Sequence, residues 1–302
     1  MTSLSVLQFV IVGLSIGAVY ALIALGFVTI FRASGIVNFA QGEFVMLGGM
    51  LANVFLVTFH LPYLPAAVLA VLGVVLIGAF LQTAVIHPIR RAGVLIMIMG
   101  TLGASIVLSN LPVLLSYAPD LGYFRDPFLL PQISPGLEAV NLAGVRISVQ
   151  RLWAVGASLV LLLLLYYFSN FTRLGRAMEA SSTDPLGARL VGIRVERMVL
   201  YSFAVSAAVG AAGGILISPI LNMRYDAGAL LGLKGFVAAV LGGWGKNSGA
   251  VVGGLALGVI ESLCVGLIPE IGSRYQQMWA FLILILVLYV RPRGLLGSAS
   301  LD

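Results

Sequence analysis

The chain has 302 residues, of which 60% are hydrophobic and only 9% are charged. A soluble globular protein carries roughly 25% charged residues because its surface faces water, so the composition excludes a soluble protein of this size. The 17 basic and 11 acidic residues give a net charge of +6. The basic residues stand singly or in pairs between apolar runs, which excludes a nucleic-acid-binding face. The sequence therefore predicts an integral membrane protein.

Apolar segments of membrane-spanning length run through the whole chain. A helix needs about 20 mostly apolar residues to cross the hydrocarbon core of a bilayer. Gln276–Val290 is a shorter candidate, and Ala227–Gly245 is rich in glycine and carries Lys234. The second of these is expected either to cross fully or to form a re-entrant hairpin covered by protein. Seven further segments reach or approach the required length: Val6–Ile30, Phe44–Phe59, Leu64–Ile86, Val94–Tyr117, Leu152–Phe168, Met198–Leu221 and Ala250–Ile268.

These segments predict an all-α, polytopic membrane protein with eight or nine transmembrane helices in a single transmembrane domain over residues 1–302. The distribution of Lys and Arg predicts its orientation. When Ala227–Gly245 is counted as crossing, eleven basic residues fall on one side and six, Lys234 among them, on the other. Because basic residues accumulate in cytoplasmic loops, we expect the N-terminus outside and the C-terminus in the cytoplasm.

Two connections are long enough to carry structure of their own. The external one, residues 118–151, is rich in Pro and Gly, which argues against a long helix, and Val145–Val149 is a candidate strand. The cytoplasmic one, residues 170–197, has helix-forming residues on both sides of Asp184-Pro185. A capping side chain followed by Pro starts a helix, and Gly192 is a candidate C-terminal stop. We predict two short helices in this loop.

Residues suited to catalysis are scarce. His60 and His87 stand at the ends of predicted spans without a Glu or His partner at helical metal-ligand spacing. Neither His-Glu-x-x-His nor Gly-x-Ser-x-Gly occurs in the sequence. The glycine-rich Gly242–Asn247 has neither the spacing nor the Ser/Thr of a phosphate-binding loop. We expect no enzyme active site, no metal site and no bound cofactor on this chain.

Polar side chains inside the apolar segments are the candidate functional groups, because a charge in the bilayer is costly. Asn38, Gln41 and Glu43 interrupt a long apolar region, and Glu261 lies near the middle of a predicted span. Glu43 is interpreted either as a first-turn carboxylate at the cytoplasmic surface or as part of a broken helix that lines a translocation path. Glu261 is interpreted either as a structural hydrogen-bonding group between helices or as part of the same path.

Glycine is abundant, with 36 residues in the chain. Gly249 and Gly253 are four residues apart, as are Gly254 and Gly258. Small residues at this spacing let helix backbones approach closely in a membrane. We expect these glycines to serve helix packing.

Three blocks of sequence carry a resemblance to a known family. They are Gly35–Phe44 (GIVNFAQGEF), Gly175–Ala180 continuing through Asp184 and Ala188 to Gly192-Ile193, and Leu241–Ala250 with Gly253-Gly254. In this order they resemble the signatures of the LivH-type permease subunits of branched-chain amino-acid ABC importers. The resemblance covers nearly the whole chain.

The resemblance implies a permease subunit of the bacterial inner membrane that translocates branched-chain or other hydrophobic amino acids. Its implied partners are a second homologous permease, two cytoplasmic ATP-binding subunits that hold the ATP, and a periplasmic substrate-binding protein docking on residues 118–151. Urea and short-chain amide importers belong to the same branch and are the alternative within it. The alternative from another class is a self-sufficient ion-coupled transporter or channel.

The resemblance also implies roles for individual residues. The predicted helix pair would enter a groove on an ATP-binding subunit, with Leu190 among its packing residues. The coupling residues expected there are Arg176, Ala177, Glu179, Ala180, Asp184, Ala188, Arg189 and Gly192. A zwitterionic substrate needs polar partners along its path, and those expected are Asn38, Gln41, Glu43 and Glu261.

Overall fold

The computed structural model describes residues 3–90, 92–115, 128–133, 139–142, 145–267 and 275–297. These residues form a helical bundle with one small β-hairpin. Short π-helical turns at Val54–Thr58 and Gln82–Ile86 follow α2 and α3. The elements are α1 (Ser3–Ser34), α2 (Gln41–Asn53), α3 (Tyr63–Leu81), α4 (His87–Ile89), α5 (Val94–Leu115), β1 (Ala139–Leu142), β2 (Val145–Ser148), α6 (Val149–Phe171), α7 (Arg173–Thr183), α8 (Pro185–Leu190), α9 (Val195–Ile217), α10 (Ala227–Gly242), α11 (Asn247–Leu267) and α12 (Gln276–Val290).

The length and composition of the helices bear out a polytopic membrane protein. Among the described residues, seven helices are long and apolar enough to cross a membrane, and they coincide with the seven longer predicted segments. The helices α10 and α12 are apolar but shorter, with 16 and 15 residues. The doubtful segment Ala227–Gly245 is thus one helix ending at Gly242 and is not a hairpin.

The helices divide into a buried centre and an exposed periphery. In the apolar stretches of α1, α2 and α9, 67–72% of residues are buried, against 11% in α5 and α6. Large side chains on the periphery, such as Leu163 and Leu164 of α6, are more than half exposed. An apolar surface of this extent is stable against lipid or another membrane-embedded chain.

Glycines bring α11 into close contact with two neighbouring helices, as the sequence predicts. A Cβ atom added to Gly258 or Gly254 would collide with the α1 backbone at Gly17 or Ala21. On another face of α11, a Cβ at Gly253 would collide with Gly242 at the end of α10. Each pair at four-residue spacing therefore serves one helix contact.

A β-hairpin lies in the long connection between α5 and α6, which the sequence predicts to be external. β1 pairs antiparallel with β2, with Ala139 opposite Ser148, so the strand expected at Val145–Val149 is present and the all-α prediction omits this element. Phe128 forms a separate bridge with Met223, in which each backbone nitrogen donates to the other carbonyl at 3.1 and 2.9 Å. The remainder of the predicted external loop, at 118–127, 134–138 and 143–144, lies outside the described residues.

The two short helices expected in the long connection between α6 and α9 are α7 and α8. Asp184 Oδ1 accepts hydrogen bonds from the backbone nitrogens of Leu186 and Gly187 at 3.0 and 2.9 Å, which caps α8. Pro185 occupies the first helical position. Gly192 follows α8 with a φ of +86°, the left-handed conformation typical of a helix C-terminus. The local sequence therefore determines both ends of α8.

Candidate functional site

A break in the helical structure separates α1 from α2. Gly35, with a φ of +69°, ends α1, and its backbone nitrogen donates to Phe31 O at 2.8 Å. Residues 36–40 are not helical, although the sequence around them is apolar. Helix α2 begins at Gln41. We call residues 35–43 the α1–α2 break.

The α1–α2 break turns back into the bundle instead of running over its surface. Gln41 lies against Gly26, which is eight residues before the end of α1 at Ser34. At 1.5 Å per residue, this places the start of α2 about 12 Å inside the end of α1. Asn38, Gln41 and Glu43 are all fully buried.

Gln41 joins three helices through its side-chain amide. Its Nε2 donates to the backbone oxygen of Ser206 on α9 at 3.3 Å. The Ser206 hydroxyl lies 2.5 Å from Gln41 Oε1 and 2.9 Å from the carbonyl oxygen of Gly26 on α1. The amide of Gln41 is thus engaged in holding α1, α2 and α9 together.

Asn38 stabilises the backbone of the break through its side-chain oxygen, while its side-chain nitrogen makes no hydrogen bond with the described residues. Its Oδ1 accepts a hydrogen bond from the Ala40 nitrogen at 3.1 Å, while its backbone oxygen accepts from the Gln41 nitrogen at 3.1 Å. Its Nδ2 is buried and has no hydrogen-bond partner among the described residues. Thr101 of α5 supports the same segment by accepting from the Phe39 nitrogen at 3.3 Å.

Glu43 lies in the first turn of α2, where its charge complements the helix dipole. It is fully buried and does not lie at the surface. Ser105 of α5 donates to its Oε1 at 2.9 Å. Within the described part of the chain its Oε2 has no hydrogen-bond partner, and the absence of a side chain at Gly228, in the first turn of α10, makes room for it.

Glu261 is engaged in an ion pair between helices. Lys234 of α10 donates to its Oε1 and also to the hydroxyl of Tyr20 on α1, the latter at 3.1 Å. The two charged side chains are only 12% and 4% exposed. Glu261 Oε2, like Glu43 Oε2, has no hydrogen-bond partner among the described residues, so the two glutamates differ in the cation beside Glu261. The prediction that Lys234 is one of six basic residues in the external connections is wrong, because Lys234 lies within α10 and is paired there with Glu261. Without Lys234, five basic residues fall on the predicted external side and eleven on the other, so the bias in the distribution of Lys and Arg becomes stronger.

The coupling residues expected from the sequence divide into exposed and engaged groups. Arg176 and Ala180 are exposed, Ala177 is half-buried, and Ala188 is buried against its own chain. Glu179 of α7 pairs with Arg32 in the last turn of α1. This ion pair connects the α7–α8 pair to the helix that leads into the α1–α2 break.

A second ion cluster and an apolar patch complete the α7–α8 pair. Arg189 of α8 lies 3.3 Å from Glu196 Oε1, in the first turn of α9, and Arg90 lies 3.6 Å from the same oxygen. Three side chains at the tip, Leu186, Leu190 and Val191, are 73–87% exposed. Of these three, only Leu190 is predicted from the sequence, and the signal for Leu186 and Val191 is that they are apolar residues within a short polar connection.

The fold and the site define a polytopic helical membrane protein with a buried polar break in its bundle. The sequence pattern of the family described as branched-chain amino acid transport system, permease component, matches residues 9–290, and the chain belongs to this family.

Named relatives match over nearly the full length of the chain. The chain is 33% identical to the high-affinity branched-chain amino acid transport system permease protein BraD of Pseudomonas aeruginosa, over 98% of this chain and 97% of that protein. It is 31% identical to the corresponding LivH protein of Escherichia coli K12, over 96% and 95%. It is 32% identical to a probable branched-chain amino acid transport permease protein LivH of Methanocaldococcus jannaschii, over 91% and 88%.

Proposed function

We propose that this chain is the membrane-spanning permease subunit of an ATP-driven importer for branched-chain or other hydrophobic amino acids. It acts in the bacterial inner membrane, with its N-terminus outside and its C-terminus in the cytoplasm. A second homologous permease, two cytoplasmic ATP-binding subunits and a periplasmic binding protein complete the transporter. The chain itself carries no ATPase site. The full-length similarity to permeases named for branched-chain amino acids supports this substrate class.

The α1–α2 break is the observation that carries the proposal. A zwitterionic substrate brings an ammonium group and a carboxylate into a bundle with few charges. Glu43 offers an unpaired carboxylate oxygen for the ammonium group, and Asn38 offers an amide N–H for the carboxylate. The sequence also predicts Gln41 and Glu261 on this path, but the Gln41 amide contacts α9 and Glu261 is neutralised by Lys234 on α10. We therefore propose that Asn38 and Glu43 contact the substrate along its path and that Gln41 and Glu261 hold helices together.

The α7–α8 pair is proposed as the element that couples the permease to an ATP-binding subunit. Leu186, Leu190 and Val191 are exposed at its tip, outside the apolar helices, and burial in a groove would stabilise them. The ion pair between Glu179 and Arg32 offers a mechanical link to α1 and the break. Movement of the tip would thereby reach Glu43 through α1.

The test is uptake by the reconstituted transporter. Vesicles containing the permease pair and the ATP-binding subunits, with the binding protein outside and ATP inside, are expected to accumulate labelled leucine. The chain alone in vesicles is expected not to transport. Uptake by the chain alone on an ion gradient would contradict the proposal in favour of an ion-coupled transporter. ATP-dependent uptake of urea without leucine would assign the chain to the amide branch.

Deleting Asp184–Val191 tests the coupling element. We expect normal membrane insertion with loss of leucine uptake, because the docking tip is absent while the apolar helices remain. The milder Leu190→Asp is expected to reduce coupling by placing a charge in the proposed interface. Substrate-driven uptake at the wild-type rate in the deletion variant would contradict the assignment.

A further inference from the structure

A cavity of about 650 Å³ lies between the α7–α8 pair and the adjoining ends of α1, α4 and α9. Its volume is within the range of roughly 300–1,000 Å³ common for small-molecule sites. It is separate from the unpaired atoms of Asn38 and Glu43, which do not line it. The proposed path residues Asn38 and Glu43 and the exposed side chains Leu186, Leu190 and Val191 are absent from its lining.

The charged groups of the cavity can receive both ends of an amino acid. Arg90 and Arg189 face one carboxylate, Glu196, at 3.6 and 3.3 Å. These distances are longer than the 2.7–2.9 Å of a strong charged hydrogen bond. The two guanidinium groups and the one carboxylate together leave one positive charge in excess. A ligand carboxylate would be attracted to the arginines, while Glu196 would accept its ammonium group.

The rest of the lining suits an apolar side chain. Ile86, Met97 and Val199 contribute a hydrophobic wall, and Ser34 and Ser181 contribute hydroxyl groups. A phosphate or a lipid headgroup would bind the arginines, but its negative charge would be repelled by the Glu196 carboxylate. It would also leave the hydrophobic wall without an apolar partner. The combination fits a free amino acid with a branched or linear aliphatic side chain.

The cavity also touches the two parts of the chain proposed to move during transport. Among its lining residues, Ser182 and Pro185 belong to the α7–α8 pair, and Gly35 and Ile36 are the first two residues of the α1–α2 break. A ligand here would bridge both parts directly. Binding energy that favours one arrangement of the two parts shifts the transporter toward that arrangement.

We propose that this cavity is a cytoplasmic binding site for an aliphatic amino acid, through which accumulated product slows the transporter by fixing the α7–α8 pair against the α1–α2 break. The proposal rests on the proposed function for the substrate class. It requires no chemical step, only binding from the cytoplasmic side.

The first test is direct binding to the intact permease complex in lipid nanodiscs without the binding protein. Labelled leucine is the probe, and isovalerate and isoamylamine compete as its carboxylate-only and amine-only analogues. We expect isovalerate to compete more strongly than isoamylamine because two cations meet one anion in the cavity. Arg90→Gln is expected to weaken leucine binding about tenfold, the scale of one lost charged hydrogen bond.

The second test is feedback in the uptake assay, with unlabelled leucine enclosed in the vesicles together with ATP. Enclosed leucine is expected to lower the initial uptake rate of the wild type at least about threefold once roughly two-thirds of the sites are occupied. Val199→Trp fills the cavity and leaves no room for leucine, so enclosed leucine is expected to cause no further slowing. The quantity compared is the ratio of uptake rates with and without enclosed leucine, which does not depend on the basal rate of the variant. Leu200→Trp is the matched control because it adds the same ring outside the lining.

The outcomes separate this proposal from the proposed function. Normal leucine uptake that enclosed leucine does not slow would overturn the proposal while leaving the function intact. Leucine binding that Arg90→Gln and Val199→Trp leave unchanged would overturn it as well. Stimulation by anionic lipid without a leucine effect would assign the cavity to a headgroup instead. Absence of any aliphatic amino-acid uptake would contradict the function, and the nanodisc measurement would still decide whether the cavity binds leucine.

Discussion

Two buried glutamates of this chain lie in contrasting surroundings. Glu261 on α11 is paired with Lys234, and the surrounding helices are joined by close glycine contacts. Glu43 on α2 has a single hydroxyl partner, Ser105, and one oxygen without any partner among the described residues. The contrast indicates that burial of a carboxylate does not define its role. Each has one oxygen without a hydrogen-bond partner among the described residues, so the difference is the counter-ion. A carboxylate with a counter-ion on another helix holds the helices together, whereas one without a counter-ion is available to a cationic group of a ligand.

The largest expected effect is on the glycine-packed side. A Cβ at Gly254 would lie 2.8 Å from the Cβ of Ala21, so Gly254→Leu forces α1 and α11 apart. We expect loss of folded protein, measured as the monodisperse fraction in size-exclusion chromatography after extraction.

Gly156→Leu on α6 is the control for this substitution. A Cβ at Gly156 meets no atom within 4 Å among the described residues, so the variant is expected to fold like the wild type. Equal yields of the two variants would contradict the assigned helix contact.

The next effect concerns the ion pair. Lys234→Met leaves the Glu261 carboxylate buried without its cation, which typically costs about 3–5 kcal/mol. We expect a clear fall in the thermal unfolding temperature of the purified complex. Adding Glu261→Gln removes the unpaired charge and is expected to recover most of the loss. A double variant as unstable as Lys234→Met alone would refute the pairing as the cause.

Glu43→Gln is expected to act in the opposite sense. The amide keeps the shape of the side chain and removes a buried charge that has only one partner, so the unfolding temperature is expected to stay the same or rise. Leucine uptake is expected to fall by at least about tenfold, the value of one lost charged contact with the ammonium group. A fall in both stability and uptake would contradict the distinction between the two glutamates.

The smallest effect is expected at Ser105. Ser105→Ala removes the one hydroxyl that positions Glu43, and one neutral partner is worth about 1 kcal/mol. We expect a several-fold rise in the KM for uptake with little change in stability. Thr101→Val is the comparison variant. It removes the hydroxyl that accepts a hydrogen bond from the Phe39 nitrogen, one turn earlier on α5. A larger rise in the KM for Thr101→Val than for Ser105→Ala would indicate that the backbone of the break, and not the position of the Glu43 side chain, determines uptake.

The sequence predicts the parts of this molecule that depend on local pattern. The long apolar helices follow from hydropathy, α8 follows from Asp184-Pro185 and Gly192, and the close contacts of α11 follow from its paired glycines. In each case, neighbouring residues carry the whole physical reason.

The pairings between distant helices are not predictable in this way. Lys234 and Glu261 are 27 residues apart, and Gln41 and Ser206 are 165 apart. Which side chains meet depends on the register of packed helices, which no local pattern determines. The sequence therefore identifies four polar candidates, and only the packing shows that Gln41 and Glu261 contact groups on other helices that fix them, whereas Asn38 has a free amide nitrogen and Glu43 has no counter-ion among the described residues.

One paired measurement tests this account most directly. Glu43→Gln and the double variant Lys234→Met/Glu261→Gln are reconstituted with the same partners, and the unfolding temperature and the initial rate of leucine uptake are measured for both. Glu43→Gln is expected to lose uptake and keep its stability, whereas the double variant is expected to keep at least half of the uptake. Retained uptake in Glu43→Gln together with lost uptake in a stable double variant would contradict the roles assigned to the two glutamates.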